Sequence, residues 1–199
     1  MKRLSDLYTP TRPQEIDAVA RALFTVGPEI CYLSTPVTGG HALLEYKTHG
    51  HSMFDVESHR ALVLSRNRTL SENAAKALRR VSKVAVINPA SVLHPGWADD
   101  DYMCLWLRVI QQHAGYVMAN EGWYVSAGCV VEVAEALLHH VRVYDAIEVV
   151  KEDAGLGAKP MTLWAAKRAI AAGQAMFSRV NMDTSKHAAA LEALEGIAQ

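Results

Sequence analysis

Four short apolar runs, partly β-branched, alternate with longer segments of helical periodicity along the first three quarters of the chain. Each run is four to ten residues long and lies next to glycine, proline or polar residues, which is typical of strands. Strands that are apolar throughout and are separated by helices are typical of a parallel sheet covered on both faces. We therefore predict an α/β chain, with strands at 29–34, 83–88, 116–119 and within 141–150.

The segments between and after these runs predict helices. A proline begins the first of them, where a missing N–H costs nothing, and its apolar residues recur on one face. The last segment is rich in alanine, with a break expected around 181–184. The predicted helices cover 13–25, 70–81, 102–113 and 128–140, with further helix over 160–199.

The chain is predicted to form one α/β domain over 1–155 and a helical extension over 156–199. The extension would pack on the domain or on a partner subunit. Residues 41–69 carry scattered histidines and charges, so we interpret them as an insertion or lid with a short strand at 61–64. Half of the 199 residues are hydrophobic, which is enough for one good core.

Charge and cysteine usage narrow the class of protein. Lysine and arginine number 20 against 21 acidic residues, so no global field favours nucleic acid or an anionic membrane. Three widely spaced cysteines in apolar segments indicate reduced thiols, and no run approaches the length of a membrane span. We expect a soluble, cytoplasmic protein whose partner is a small molecule, neither a nucleic acid polymer nor a membrane.

The most informative stretch is 121–132, where a strand runs into a turn of small residues and then into a helix. Small residues let the backbone approach a ligand, and a helix N-terminus attracts anions. Glu132 lies in a helix of valine, alanine and leucine, which favours a cleft at that position. The other interpretation is a first-turn acid stabilised by the helix dipole. Glu135, one turn on, is expected to face solvent.

Three separated motifs carry a resemblance. Tyr-Leu-Ser-Thr-Pro-Val-Thr-Gly occupies 32–39, Asn-Pro-Ala occupies 88–90, and Gly-Trp-x-x-Ser-x-Gly-x-x-x-Glu-x-x-x-Ala occupies 122–136. In this order they are similar to the nucleoside 2-deoxyribosyltransferase-like family, which includes N-glycosidases of nucleoside 5'-monophosphates and several phage and bacterial branches. The match covers roughly 29–150.

The resemblance implies a flavodoxin-like or Rossmann-like three-layer fold with four to five parallel strands and C-terminal helices. The family's glutamate nucleophile maps onto Glu132. It would attack the anomeric carbon of the sugar, and water or a second base would resolve the glycosyl-enzyme. The resemblance implies no cofactor and no metal. It does imply a homo-oligomer. The implied substrate-binding residues are Tyr32, Ser34, Pro36, Thr38, Gly39, Asn88, Pro89, Gly122, Trp123, Ser126 and Gly128.

The chain departs from the family at an aspartate expected early in the third strand. Counting back from Gly122 places this position at Gly115, so the acid is absent. Glu121, or one of Asp99, Asp100 and Asp101, would have to replace it, and we take Glu121 and Asp101 as the catalytic candidates beside Glu132. The alternative function is a nucleotide-binding or sensing module that does not cleave its ligand.

Two further groups of residues are candidate ligand sites. The spacing of His41, His49, His51 and His59 matches no zinc pattern, so no bound metal is predicted. One of these histidines could instead reach a substrate base from the lid. Three arginines at 60, 66 and 68 would either grip a phosphate or form a solvated surface.

Overall fold

The fold is α/β with one all-parallel sheet, as predicted. The computed structural model describes residues 3–25, 29–51, 55–151 and 158–197. Within these ranges the sheet has four strands in the order β2-β1-β3-β4. The strands are β1 (Ile30–Ser34), β2 (Ala85–Ile87), β3 (Ala114–Ala119) and β4 (Arg142–Asp145).

Helices surround the sheet, and those predicted from periodicity are confirmed with shifts of a few residues at their ends. The break expected around 181–184 separates the last two helices. The helices are α1 (Pro13–Phe24), α2 (Gly40–Thr48), α3 (Val56–His59), α4 (Ser65–Val81), α5 (Asp99–His113), α6 (Ala127–Leu138), α7 (Ala146–Lys151), α8 (Leu163–Arg179) and α9 (Ser185–Glu195).

The strand predicted at 61–64 is wrong. A π-helical turn, Arg60–Leu64, joins α3 to α4 in one helical stretch. The run Ala-Leu-Val-Leu has the composition of a buried strand and of a buried helix segment alike, because periodicity does not separate the two over so short a length. Val63 from this turn packs with Tyr46 of α2. Whether 41–69 opens as a lid stays a prediction.

The sheet lies between two helical layers, which gives the three-layer arrangement of flavodoxin-like and Rossmann-like folds. The larger core joins one face of the sheet to α1, α5, α6, α8 and α9. The smaller core joins the other face to α4 and α7. Each strand is therefore covered on both faces, which explains the uninterrupted apolar runs in the sequence.

Helix α6 is buried on almost every side, because the sheet, α5 and α9 all pack around it. This corrects the expectation that Glu135 faces solvent. Its side chain is only 3 % exposed, and its carboxylate accepts a hydrogen bond from Gln111 Nε2 at 2.6 Å. His139 Nε2 lies 3.1 Å from the same oxygen.

The C-terminal helices pack on the domain. Helix α9 contacts α6, and α8 contacts the short turn Trp123–Val125 that precedes α6. The described part of the extension thus lies behind the stretch 121–132. An additional contact with a partner subunit remains a prediction.

The strand order creates a switch point between β1 and β3. The chain places β2 on one side of β1 and then β3 on the other, so the connections leave the carboxyl ends of β1 and β3 in opposite directions. Open α/β sheets bind ligands at such a switch point. The two strand ends are in register, with Ser34 opposite Ala119, and Asn120 N–H donates to Ser34 O at 2.9 Å.

Candidate functional site

A buried carboxylate held by two hydroxyls lies at this switch point. Tyr32 Oη donates to Glu132 Oε1 at 2.8 Å, and Ser34 Oγ donates to Glu132 Oε2 at 2.7 Å. Glu132 is 6 % exposed, and Tyr32 and Ser34 are fully buried. The structure thus brings together three of the residues that the sequence proposed.

Local geometry explains why these three meet. Residues two apart in a strand project from the same face, so Tyr32 and Ser34 both point from β1 toward the layer that contains α6. Glu132 lies in the second turn of α6 and faces the sheet. Each carboxylate oxygen therefore receives one donor, which fixes the orientation of the side chain.

The protonation balance of Glu132 is set by opposing influences. Burial is the larger one and raises the pKa, because a charged carboxylate loses solvation. The hydrogen bonds from Ser34 and Tyr32 favour the charged form and lower it in part. The net result is a pKa above the usual glutamate value, which is a common property of catalytic carboxylates.

The loop after β1 is fixed against the start of α6. Asn67 Nδ2 donates to Val37 O at 2.9 Å and to Gly39 O at 2.8 Å. A Cβ on Gly39 would come within 3.0 Å of Ser126 Cα, so only glycine allows this approach without a shift. The first and third sequence motifs are therefore in direct contact at this edge of the sheet.

A histidine completes this edge. Gly122 has a positive φ of 72° and packs against His41 at the start of α2. His41 Nε2 lies 3.3 Å from Tyr124 Oη, and the two rings meet edge to face. His41 is partly exposed, so its ring reaches both the protein interior and solvent. Of the four histidines in 41–59, this one lies beside the 121–132 motif.

The remaining substrate-binding candidates lie along the same edge but differ in exposure. Trp123 is buried in the larger core, so its ring is not free to stack on a base in this conformation. Asn88 Oδ1 accepts from Ala90 N–H, and Pro89 is buried beside it. Pro36 is buried, Thr38 is exposed, and Gly128 packs near Met103.

Gly115 does not belong to this edge. It lies at the amino-terminal end of β3 and packs against the side chain of Glu29. An acid at Gly115 would be at the opposite end of the sheet from Glu132, so its absence has no bearing on the site. The residue that follows β3 at the site is Asn120, whose Nδ2 donates to Thr35 Oγ1 at 3.1 Å.

The other two catalytic candidates are separate from Glu132. Glu121 is exposed in the turn after β3. Asp101 is buried and accepts hydrogen bonds from Thr11 N–H, Thr11 Oγ1, Arg12 N–H and Ala98 N–H at 2.6 to 3.1 Å. These four bonds tie the N-terminal segment to the start of α5, so the structure gives Asp101 an anchoring role. A catalytic role for Asp101 or Glu121 stays a prediction.

Asp101→Asn is expected to lower the thermal midpoint by roughly 5 °C at pH 7, a scale set by the loss of strong hydrogen bonds in a chain of this size. Burial disfavours the Asp101 carboxylate, but the bonds from Ala98, Thr11 and Arg12 outweigh it and hold the pKa at about 2. The stabilisation is present above the ordinary aspartate pKa and disappears as pH falls toward 2.

Asp99→Asn is the matched control, since it removes an equal charge from the same helical turn at an exposed position. Thermal unfolding of both variants and the wild type between pH 7 and pH 2.5 measures the effect. A difference between Asp101→Asn and the wild type that does not shrink with acidification would contradict the anchoring role.

The histidine and arginine groups give no support for ion binding. Among the described residues, no cluster of His, Cys, Asp or Glu side chains is arranged to hold a metal ion. Arg66 pairs with Glu45 and Arg68 with Glu72, all of them half exposed, which agrees with a solvated surface. Arg60 is exposed as well.

Several residues near the motif could not be recognised from the sequence. Asn67 lies among arginines in a helix, with nothing in its spacing to distinguish it. His187 is fully buried in α9, and its Nε2 lies 3.1 Å from Tyr124 O, a contact between residues 63 apart in sequence. Tyr8 lies before the first helix. Only the three-dimensional packing identifies these residues as neighbours of the motif.

Comparison of the chain with family models, curated proteins and solved structures gives no match. The class that the fold and the site define is therefore an α/β protein with a buried glutamate at the switch point of a parallel sheet. None of the helices in the described ranges is both long enough and apolar enough to cross a membrane.

Proposed function

We propose that the chain binds a nucleoside or nucleoside 5'-monophosphate at the carboxyl ends of β1 and β3 and breaks or transfers its N-glycosidic bond. The observation that carries the proposal is the buried Glu132 carboxylate, oriented by Tyr32 and Ser34. Burying a carboxylate costs free energy, and two hydroxyl donors recover only part of it. Glu132 differs from the other buried acids, Asp101 and Glu135, in lying at the switch point of the sheet.

Glu132 would act as the nucleophile. One carboxylate oxygen attacks the anomeric carbon as the bond to the base breaks, and the base leaves with the bonding electron pair and takes up a proton. Water, or the nitrogen of a second base, then attacks the same carbon and releases the carboxylate. His41 is the candidate donor for the departing base, because it is partly exposed beside the 121–132 turn.

The start of α6 would hold the anionic or hydroxyl end of the ligand. The first N–H groups of a helix lack partners within it, and the helix dipole favours negative charge there. Ser126 precedes this helix, and Gly39 packs against it. A 5'-phosphate or a sugar hydroxyl placed at Ser126 and Gly128 would put the sugar near Glu132.

A binding module of the same fold is the second candidate, and the small exposure of Glu132 favours it. A carboxylate that is 6 % exposed has little access to an anomeric carbon unless the surrounding loops move. Such a module would hold the same ligands and release them unchanged.

A panel assay separates the two candidates. The four common ribonucleosides, the four common 2'-deoxyribonucleosides and their 5'-monophosphates are incubated with the protein, with and without a second free base. Chromatography should show a released or exchanged base. Thermal stabilisation by a panel member that is recovered intact would favour the binding module. The proposed function would be overturned if every panel member left the protein unstabilised and kept its base.

A further inference from the structure

The N-terminal segment is held firmly over the start of α5. Leu4 is buried in the larger core, and Thr9 N–H donates to Asp100 Oδ2 at 3.0 Å. Two residues further on, Thr11 and Arg12 are bound by Asp101. The position of Tyr8, between these anchors, is therefore specified on both sides.

Tyr8 carries a buried hydroxyl without a partner. The side chain is 5 % exposed, and within the described ranges no hydrogen bond reaches its Oη. An unsatisfied buried hydroxyl destabilises a fold, and such groups are rare enough to require an explanation. Phenylalanine would fill the same volume without that cost. The hydroxyl therefore has no stabilising function in the unliganded fold.

The surroundings of Tyr8 connect it to the candidate site. Its ring belongs to the same core cluster as Tyr32 and Cys129, one turn before Glu132. Burial raises the pKa of Tyr8, and the Glu132 carboxylate raises it further. The phenol thus remains protonated at neutral pH and can donate a hydrogen bond. The Lys186 ammonium lies 4.5 Å from the ring centre and fixes the ring from the α9 side.

We propose that Tyr8 is a ligand-binding residue of the Glu132 site and that its hydroxyl donates a hydrogen bond to an oxygen or nitrogen of the bound nucleoside or nucleotide. This inference rests on the proposed function. It adds a residue of the N-terminal segment to the site. This segment lies outside all three sequence motifs. A ligand atom at Oη would satisfy the hydroxyl that the protein leaves unpaired.

Tyr8→Phe is expected to lower kcat/KM for base release, or the affinity for a bound panel member, by about 10- to 100-fold. The thermal midpoint of the free protein should stay unchanged or rise, because the unpaired hydroxyl is removed. Tyr116→Phe is the matched control. Tyr116 is also buried, but its Oη has a partner, Ser82 Oγ at 2.8 Å, and Ser82 precedes β2 at the far edge of the sheet. This variant should lose stability and keep binding and turnover.

The measurements are thermal unfolding of both free variants, followed by kinetics or titration with the panel member that the wild type cleaves or binds best. Equal binding and turnover in Tyr8→Phe and the wild type would overturn the role of Tyr8 and leave the proposed function standing. A loss of stability like that of Tyr116→Phe would overturn it too, since it would reveal a protein partner for the hydroxyl. A wild type that neither binds nor cleaves any panel member overturns the proposed function, and this inference with it.

Discussion

Glu132→Gln should abolish base release while leaving the fold intact. Removing a nucleophile is expected to lower the rate at least about 1000-fold, which corresponds to about 4 kcal/mol of lost transition-state stabilisation. The amide of glutamine has the shape of the carboxylate, can accept a hydrogen bond from one hydroxyl and can donate to the other. Chromatographic base release and the thermal midpoint are measured on the same preparation.

Glu135→Gln is the control for this substitution. Glu135 lies one turn further along α6 and is also buried, but its carboxylate binds Gln111 of α5 and His139 at the end of α6. The control variant should retain the activity of the wild type within about twofold, because surface and core changes away from the site leave the chemistry in place. Base release that persists in Glu132→Gln would remove Glu132 as the nucleophile.

The raised pKa of Glu132 gives this prediction a pH dependence. The nucleophile must be ionised, so base release should rise with pH through a value above the ordinary 4.5 of glutamate. Tyr32→Phe removes one of the bonds that lower the pKa, and should move the acid limb of the profile to higher pH. An acid limb that stays in place would show that another group controls it.

The stability of the fold should fall with rising pH, in the opposite direction to the rate of base release. Because the folded protein holds the Glu132 proton more tightly than the unfolded chain, the free energy of unfolding falls as pH rises from about 4.5 through the raised pKa. In Glu132→Gln this decrease in the free energy of unfolding does not occur, because the side chain does not ionise. The variant should therefore gain stability relative to the wild type over that pH range, even though it is inactive.

The sheet could be predicted from sequence because each strand is buried on both faces, which leaves an apolar run such as Ile30–Ser34 between polar turns. The side of β1 on which each later strand lies could not be predicted, since the local pattern is the same for either order. The switch point, and with it the meeting of β1 and α6, appears only in the structure.

Glu132 could be predicted as a site residue because a carboxylate is out of place in an apolar helix. The same rule missed the burial of Glu135, since the sequence does not reveal that α5 and α9 cover the other sides of α6. Tyr8 gave no signal, because a single tyrosine outside a periodic segment has no pattern, and the sequence did not show which of the four histidines in 41–59 would lie at the site. Gly115 does lie early in β3, as counting predicts, but counting residues did not show that this end of the strand is remote from Glu132.

The C-terminal helices hold the candidate site in place through a glycine. Gly173 lies in the middle of α8 against the backbone of Tyr124, and a Cβ at this position would overlap the carbonyl oxygen. His187 Nε2 lies within hydrogen-bond distance of the same oxygen. The turn Trp123–Val125 is therefore clamped between α8 and α9, just before Ser126 and α6.

Gly173→Ala should destabilise the protein by about 2 kcal/mol or more and reduce base release or ligand affinity. Helix propensity alone would stabilise α8 by about 1 kcal/mol, but the added methyl has to displace backbone, and overpacking of a core costs about 1 to 3 kcal/mol or more. The displaced turn carries Gly122 at one end and Ser126 at the other, so the contacts with His41 and Gly39 should loosen together.

Ala172→Gly provides the matched control at an exposed neighbour in the same helix. It should weaken α8 by about 1 kcal/mol through propensity alone and leave ligand binding and base release unchanged. Chemical denaturation of both variants gives the free energies of unfolding, and the nucleoside panel gives function. If Gly173→Ala instead proved more stable than the wild type, α8 would not press on Tyr124. The conclusion that α8 and α9 hold the turn Trp123–Val125 would then be wrong.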